Sequence, residues 1–387
     1  MAAELRAVKA DGTYSEILPD WSDLTFSQDL VAAGSLTFSY PTTGGRHSEL
    51  LTHGQQFAVL LDGVEPRNGR FTYDEGTGSR IAEADGQTST YSCKSNLARL
   101  STLMIAPAFL STTYADTDSY LVYVNRTVGY LVATAVNNAM ARGSQLSAAP
   151  APWLTHPLTG FTTTADSDGA SWIDTYDVTF SPGPVSEVLD WVVTNGFAEP
   201  AMDKKILRLY RPENNGTNLA AQNKPVVLQT GRDFTEASYQ TSSADLVNSL
   251  LVIGDSNSCA WVKNQTSIDT YGYRESTLSV TGASQQATLI AAGNAYLSTR
   301  SIPRWAYTYS VNALYLESAY GVPRPFIDYQ VGDSILILDG AETAVRRIRL
   351  LSATWPNSRA ASVQLSVNDW FSEREIEVDR RLKRLGG

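Results

Sequence analysis

Histidines, paired carboxylates, reactive thiols and glycine-rich turns carry most protein chemistry, and in this sequence they are few and scattered. The three histidines, His47, His53 and His156, share no ligand spacing and read as loop residues rather than bases or metal ligands. Neither a G-x-S-x-G elbow nor a P-loop occurs, and Gly76-Thr-Gly78 lacks the third glycine of a dinucleotide fingerprint. Asp166-Ser-Asp168-Gly169 opens like a calcium loop, but the next alternate oxygen position falls in Ala170-Ser171 and the distal Glu is missing. Cys93 and Cys259 belong to no C-x-x-C or Cys/His cluster, so two isolated buried thiols are expected rather than a disulfide scaffold. Trp153, Trp172 and Trp191, with Asp166, Asp168, Asp174 and Asp177, could line a sugar-binding surface. A glycosidase would use two such carboxylates, whose separation is spatial and invisible in sequence. The plainer reading is a long loop that uses its aromatics as anchors. No catalytic, cofactor-binding or metal residue is therefore assigned, and the expectation is a chain that is not an enzyme and needs no cofactor.

Composition narrows the class. The chain has 387 residues, 43% hydrophobic and 18% charged, which is the balance of a folded protein and not of an acidic disordered tail. Its formal charge of −10 runs against gripping nucleic acid, because a duplex binder collects Lys and Arg to displace counterions. The apolar stretch Val128–Val136 is far shorter than the ~20 residues a membrane span needs. The N-terminus has no apolar h-region, which predicts a protein made and folded in a cytoplasm.

Strand periodicity dominates both ends of the sequence. Residues 1–93 alternate apolar and polar positions, as in Gly34-Ser-Leu-Thr-Phe-Ser-Tyr40, and glycines recur at strand-plus-turn intervals. Short helices are expected over Ser95–Met104 and Arg126–Arg142, the latter with Val128, Leu131, Val132 and Ala135 on one stripe. Residues 143–183 lose periodicity and read as loop, with at most a hairpin around Trp172–Phe180. A helix from Pro184 to Val193 and a strand over Lys205–Tyr210 follow. Strands resume at Val226–Leu228, Phe234–Thr241, Leu250–Gly254 and Ala260–Val262. Gly282–Arg300 reads as a helix with Ala287, Ile290, Ala291 and Ala295 on one side. Four strands come after it: Ala306–Val311, Ser334–Leu338, Arg346–Ser352 and Ala361–Val367. A capping box, Ser372-x-x-Glu375, opens a last helix.

Two stretches resemble each other. Leu50–Gly63 followed by Gly69–Tyr73, and Tyr329–Gly340 followed by Arg347–Leu351, each present a Gly-led turn, an alternating strand, Asp-Gly and a return strand. One copy is a residue longer between its glycines. Any Gly-strand-Asp-Gly hairpin looks alike, but two related barrels in one chain would produce the same pattern. The fold class expected is mainly β with α+β insertions, two related small β-barrels plus helical and loop-rich domains.

The order of Tyr271-Gly-Tyr-Arg-Glu275, Leu297-Ser-Thr-Arg-Ser-Ile-Pro303, Tyr329-Gln-Val-Gly332-Asp333 and Arg347-Ile-Arg-Leu-Leu351 resembles the central baseplate or tail-tip hub of long-tailed bacteriophages, a family shared with contractile injection machines. Ala33–Phe38, Leu51–Gly63 and Leu97–Pro107 are similar to that family's first barrel, while the middle of the chain has no match. The resemblance implies a first barrel domain over 1–105, a helix- and loop-rich insertion over 106–204, and strands of a second barrel over 205–281. A helical insertion over 282–303, the remaining strands over 304–370 and a C-terminal helix over 371–387 complete it. It further implies a homotrimer whose paired barrels make a pseudo-six-fold ring in the virion tail tip, assembled in the host bacterial cytoplasm. The implied partners are the distal tail or tail tube protein, the tape-measure protein and other minor tail proteins. DNA would be passing cargo, repelled by an acidic channel wall. Two alternatives are kept: a host-adhesion module binding a surface glycan through the 143–183 loop, and a cell-wall hydrolase.

Overall fold

In a computed structural model, the residues described are 2–367 apart from 42–49, 53, 74–78, 83–87, 109–120, 148–150, 196, 212–213, 244–245, 256–257, 281–282, 312–322, 341 and 357–360. His47, His53, the Gly76–Gly78 turn and the expected helix after Ser372 lie outside them. The chain is mainly β with α/β insertions, as the alternation predicts.

The first β unit contains β1 (Ala3–Val8), β2 (Tyr14–Ile17), β3 (Ser22–Asp29), β4 (Ser35–Pro41), β5 (Gln56–Leu61), β6 (Arg70–Thr72), β7 (Ser79–Ala82) and β8 (Thr88–Ser95). Their alternation is what buries one face: Leu24 and Phe26 on β3, Leu36, Phe38 and Tyr40 on β4, and Tyr91 and Cys93 on β8 all point inward. The strands lie in the order β3-β4-β8-β6-β5-β1-β2, with β7 pairing β8. The two end strands, β2 and β3, are neighbours in the chain, joined only by residues 18–21. That short link obliges the ladder to curl.

Strands β9 to β14 belong to the middle of the chain, described below. The second β unit uses β15 (Val227–Gln229), β16 (Phe234–Ser242), β20 (Arg304–Val311), β21 (Ser334–Asp339), β22 (Glu342–Trp355) and β23 (Ser362–Val367). Its order is β16-β20-β23-β22-β21-β15, and again the end strands are chain neighbours, linked by residues 230–233. The two orders superimpose element by element once β1 is set aside. Directions agree as well: β2 runs parallel to β5 across the intervening β1, and β15 pairs β21 in parallel. The hairpins that resemble each other in sequence also match bond for bond. Gly54 N donates to Tyr73 O at 2.7 Å and Tyr73 N to Gln55 O at 2.9 Å; Gly332 N donates to Ile348 O and Ile348 N to Asp333 O, both at 2.9 Å. Both leading glycines have positive φ, +81° and +97°. Among the described residues strand pairing closes neither unit into a barrel. Instead the two merge into one 14-stranded sheet, because the C-terminal half of β22 pairs with β3 from Leu350 opposite Asp29 to Trp355 opposite Leu24. A single hydrophobic core runs through both units.

Between the units lies the middle domain. Here β9 (Met104–Ile105) pairs β12 (Gly183–Pro184), β10 (Leu121–Arg126) pairs β11 (Tyr176–Phe180), and β13 (Glu199–Asp203) pairs β14 (Ile206–Tyr210). Helix α1 (Val128–Ser144) is capped by Thr127, whose side chain accepts from Tyr130 N, and buries the predicted Val128, Leu131, Val132 and Ala135 stripe. Helix α2 (Ser186–Thr194) buries Val188, Leu189 and Val192. The helix expected over Ser95–Met104 is only a 3-10 turn, Ala98–Thr102. Leu97 and Leu100 do go inward, but their i, i+3 spacing suits a 3-10 turn equally, and Met104 leaves the core to join β9. The hairpin expected over Trp172–Phe180 does not form, since Tyr176–Phe180 takes its partner from beyond α1, while Trp172 N donates to Thr164 O at 3.0 Å beside an antiparallel bridge between Ala165 and Ser171.

A small α/β module is inserted between β16 and β20, which pair with each other. It comprises β17 (Ser249–Ile253), β18 (Cys259–Lys263), α3 (Gln265–Tyr271), β19 (Glu275–Ser279) and α4 (Gln286–Arg300), with strand order β18-β17-β19. The buried face of α4 carries Thr288, Leu289, Ala292 and Leu297, rotated from the predicted stripe so that Ala287 and Ile290 face outward. The cause is Gly293. A Cβ there would sit 2.4 Å from Val262 Cγ2 and 2.8 Å from Val252 Cγ2, so the helix presses its one side-chain-free position against the sheet.

Candidate functional site

The carboxylates singled out in the sequence are divided between interior and surface. Asp166 and Asp177 are buried, while Asp168 and Asp174 are exposed. Asp166 Oδ1 accepts from Asp168 N (3.0 Å) and Ala170 N (2.8 Å), and Oδ2 accepts from Arg211 N (3.1 Å) and Asn214 Nδ2 (3.4 Å). Both oxygens are turned to N–H donors, which organises a turn and offers nothing to a cation. Among the described residues no group of three His, Cys, Asp or Glu side chains could hold a metal ion. His156 is exposed. Cys93 is buried, which pushes its thiol well above the ordinary range, whereas Cys259, expected to be buried, is exposed on β18; both are free.

The tryptophans are anchors. Trp153 is 2% exposed with the Arg99 guanidinium 5.3 Å from its ring, and Trp172 donates Nε1 to Thr162 O at 3.2 Å. Trp191 packs among Tyr176, Phe180 and Phe197 at 5.0–5.9 Å. Burial in the same region holds the Tyr123 hydroxyl up to about 12. None of the three indoles forms an open stacking platform. More exposed aromatics lie elsewhere, on the module, where Trp261 is 59% and Tyr273 61% exposed.

The densest polar geometry is a three-way junction where both β units meet the middle domain. Arg347 on β22 reaches across to Glu199 on β13, Nη1 to Oε1 at 2.8 Å and Nη2 to Oε2 at 2.7 Å. Its Nε also donates to Gly332 O (3.0 Å) and Nη2 to Asn215 O (2.9 Å). Asp333 accepts from Thr217 N at 2.7 Å and Gln330 N at 2.8 Å, and burial raises its pKa against these bonds and the nearby Arg67 and Arg347. From the first β unit, Arg67 lays its guanidinium 5.1 Å over the Tyr210 ring while its backbone N donates to Gln330 Oε1 at 3.0 Å. Buried Asn96 adds a second tie, accepting from Thr72 Oγ1 (2.6 Å) and donating to Lys204 O (3.1 Å). Glycine makes the contact possible: a Cβ on Gly332 would lie 1.9 Å from Asn215 O, and one on Gly216 2.2 Å from Gly332 C and O. Chemically this is a rigid joint, with charges desolvated only where bidentate or backbone partners meet them.

Two of the sequence motifs fall in this joint, Gln330-Val-Gly332-Asp333 and Arg347. Sequence reading missed their partners Glu199, Arg67, Tyr210 and Asn215, which are brought in from remote segments. Tyr271-Gly-Tyr-Arg-Glu275 is an exposed turn capped by Gly272 at φ +79° and tied down by fully buried Asn248, which bonds Gly272 O (2.6 Å) and Arg274 N (2.8 Å).

Solved structures share the fold over nearly the whole chain. The 43 kDa tail protein of prophage MuSo2 from Shewanella oneidensis superimposes with a TM-score of 0.62 at 14% identity, over 95% of this chain and 98% of that one. The chain has the fold of phage tail proteins. A tail protein from Neisseria meningitidis MC58 gives 0.58 at 13% identity over 96% and 97% of the two chains. A prophage tail protein from Listeria monocytogenes EGD-e also gives 0.58 at 13%, over 99% and 100%. No protein-family model matches the sequence, and no curated protein does. The tail-protein fold resides in the two matched β units, the middle domain and the module together.

Proposed function

We propose that the protein is a structural component of a bacteriophage tail tip or baseplate, a non-enzymatic hub that assembles as a homotrimer. The observation carrying this reading is the duplicated β unit, matched in strand order once β1 is set aside, within a tail-protein fold. Two like units per chain and three chains give six like units around an axis, the number needed to dock on a hexameric tail tube. The three-way joint supports a stiff connector rather than a hinged one. Its partners on this reading are the distal tail or tube protein, the tape-measure protein and other minor tail proteins, in a virion built in the host cytoplasm.

DNA would cross the ring as cargo. The formal charge of −10 suits a wall that repels phosphate, since each cationic contact would slow transit. A solution mass of three chains, with a threefold ring by electron microscopy, tests the trimer. A monomer that persists when the tube protein is added contradicts it.

A further inference from the structure

Helix α4 covers one side of the module's sheet, with Gly293 pressed against Val252 and Val262. The other side faces outward. Alternation and register set its residues in rows across the three strands. One row runs Trp261, Leu251, Thr277 and the next Lys263, Ser249, Glu275, each from β18 through β17 to β19. Leu251 is half-buried and Ser249 buried, while the residues at the ends of both rows are exposed. Tyr273 enters from the turn before β19 and lays its hydroxyl on the second row. There it accepts from Ser249 Oγ at 3.4 Å and donates to Glu275 Oε1 at 2.5 Å. Trp261 and Tyr273 are both more than half exposed, so the face presents two aromatic rings with a polar row between them.

An indole and a phenol held out on one face forgo the burial that each ring would gain in a core, which marks a contact surface. The face is also fixed in advance. Fully buried Asn248 holds the turn that carries Tyr273, through Gly272 O and Arg274 N, and donates to Ser267 Oγ at 3.3 Å. A protein interface gathers its apolar groups at the centre and its polar groups at the rim. Here the polar row lies between the rings. Charge narrows the ligand further. The charged residues of 246–303 are Asp255, Lys263, Asp269, Arg274, Glu275 and Arg300, three of each sign, so the module is neutral in a chain of −10. That balance offers nothing to a polyanion. A sugar chain fits the layout: the C–H face of each ring is apolar and stacks on an aromatic, and its edge hydroxyls need donors and acceptors beside the stack. Lys263 supplies donors, Glu275 acceptors and Thr277 both.

We propose that this outward face of the α/β module binds a neutral polysaccharide of a bacterial surface, one sugar stacked on Trp261 and another against Tyr273, with Lys263, Glu275 and Thr277 holding the hydroxyls between. A two-residue step, about 7 Å, separates the Trp261 row from the row on which the Tyr273 hydroxyl sits. The ligand is therefore a chain and not a single sugar. The site is distinct from the 143–183 loop, whose tryptophans are anchors. Sugar binding stands on the module alone; the bacterial source rests on the tail-protein reading above. A shallow face encloses little of its ligand, so affinity per chain is weak, with a Kd on the order of 1 mM.

The test screens the full-length protein on an array of neutral bacterial polysaccharides, neutral plant and yeast glucans and mannans, and two acidic probes, teichoic acid and dextran sulfate. Saturation-transfer NMR then measures the hits. The expected result is binding to at least one neutral bacterial polysaccharide, weakened about tenfold or more by Trp261→Ala and less by Trp261→Phe, which keeps a ring. Tyr273→Ala weakens it as well, and Ile173→Ala, an exposed position in the middle domain, leaves it unchanged. Thermal midpoints of all four variants stay near wild type, because the altered side chains are exposed. Binding only to the acidic probes, binding that Trp261→Ala leaves intact, or no binding to any glycan overturns the site. Binding confined to plant and yeast glycans, and lost in Trp261→Ala, refutes the bacterial source. A trimer that binds no sugar refutes this inference and leaves the hub standing.

Discussion

Replacing Arg347 with Ala removes the group on which the joint between β22 and the middle domain converges. The side chain makes four hydrogen bonds at 2.7–3.0 Å, two of them to Glu199, and the two ionised side chains are only 12% and 10% exposed. Taking one partner from such a pair costs about 3–5 kcal/mol, because a desolvated charge loses its counter-charge. Against a total stability of about 5–15 kcal/mol for a domain, that is a large fraction. The assay is urea unfolding followed by tryptophan fluorescence and far-UV circular dichroism in parallel, since a chain of several units need not unfold in one step. The second arm is Arg347→Met with Glu199→Leu, which replaces the ion pair by apolar contact. A buried pair exchanged as a whole is often neutral, so the double variant is expected to lie closer to wild type than Arg347→Ala does. The reasoning fails if Arg347→Ala costs less than about 1 kcal/mol, or if the double variant costs the sum of Arg347→Met and Glu199→Leu.

Other substitutions probe the same interior. Tyr329 is fully buried and its hydroxyl has no hydrogen-bond partner among the described residues, so Tyr329→Phe is expected to leave stability unchanged or raise it, by up to roughly 1–3 kcal/mol; a lower thermal midpoint would contradict this. Gly332→Ala combines φ +97° with a Cβ 1.9 Å from Asn215 O and should cost more than the ~1–2 kcal/mol of backbone strain alone, read from the urea midpoint. For Asp333 the sign follows from its raised pKa. Its titration contributes stability that is fully present below the unfolded value, ~3.9, and lost as pH rises through the native one. The stability gap between wild type and Asp333→Asn should therefore be widest below about pH 4 and narrow toward neutrality, and a gap that widens with pH would refute the assignment.

How much could be read in the sequence depended on how local the cause was. The α1 stripe was legible because Val128, Leu131, Val132 and Ala135 contrast with polar neighbours. The α4 face was not, because alanines surround the helix and the deciding contact is Gly293 on Val252 and Val262, two strands away. The 3-10 turn after Asn96 shares its leucine spacing with an α-helix, so periodicity alone could not separate them. The duplicated hairpin was visible through its glycines, but the merging of both units into one sheet depends on β22 meeting β3, which no local pattern encodes. The joint was half legible: Gly332, Asp333 and Arg347 stood in recognisable runs, while Glu199 and Arg67 looked like ordinary surface charges until the chain folded.

The pairing of β3 with β22 also sets a timetable. The hydroxyls of Thr25 and Thr354 meet at 3.2 Å from positions 329 residues apart. At about 5–20 residues per second, the ribosome releases β22 roughly 15–65 s after β3. Throughout that interval the nascent first unit carries an open edge, and a β22 from an older chain on the same message fits it as well as its own does. Crowded translation should therefore favour strand-swapped pairs, and sparse translation chains that close on themselves.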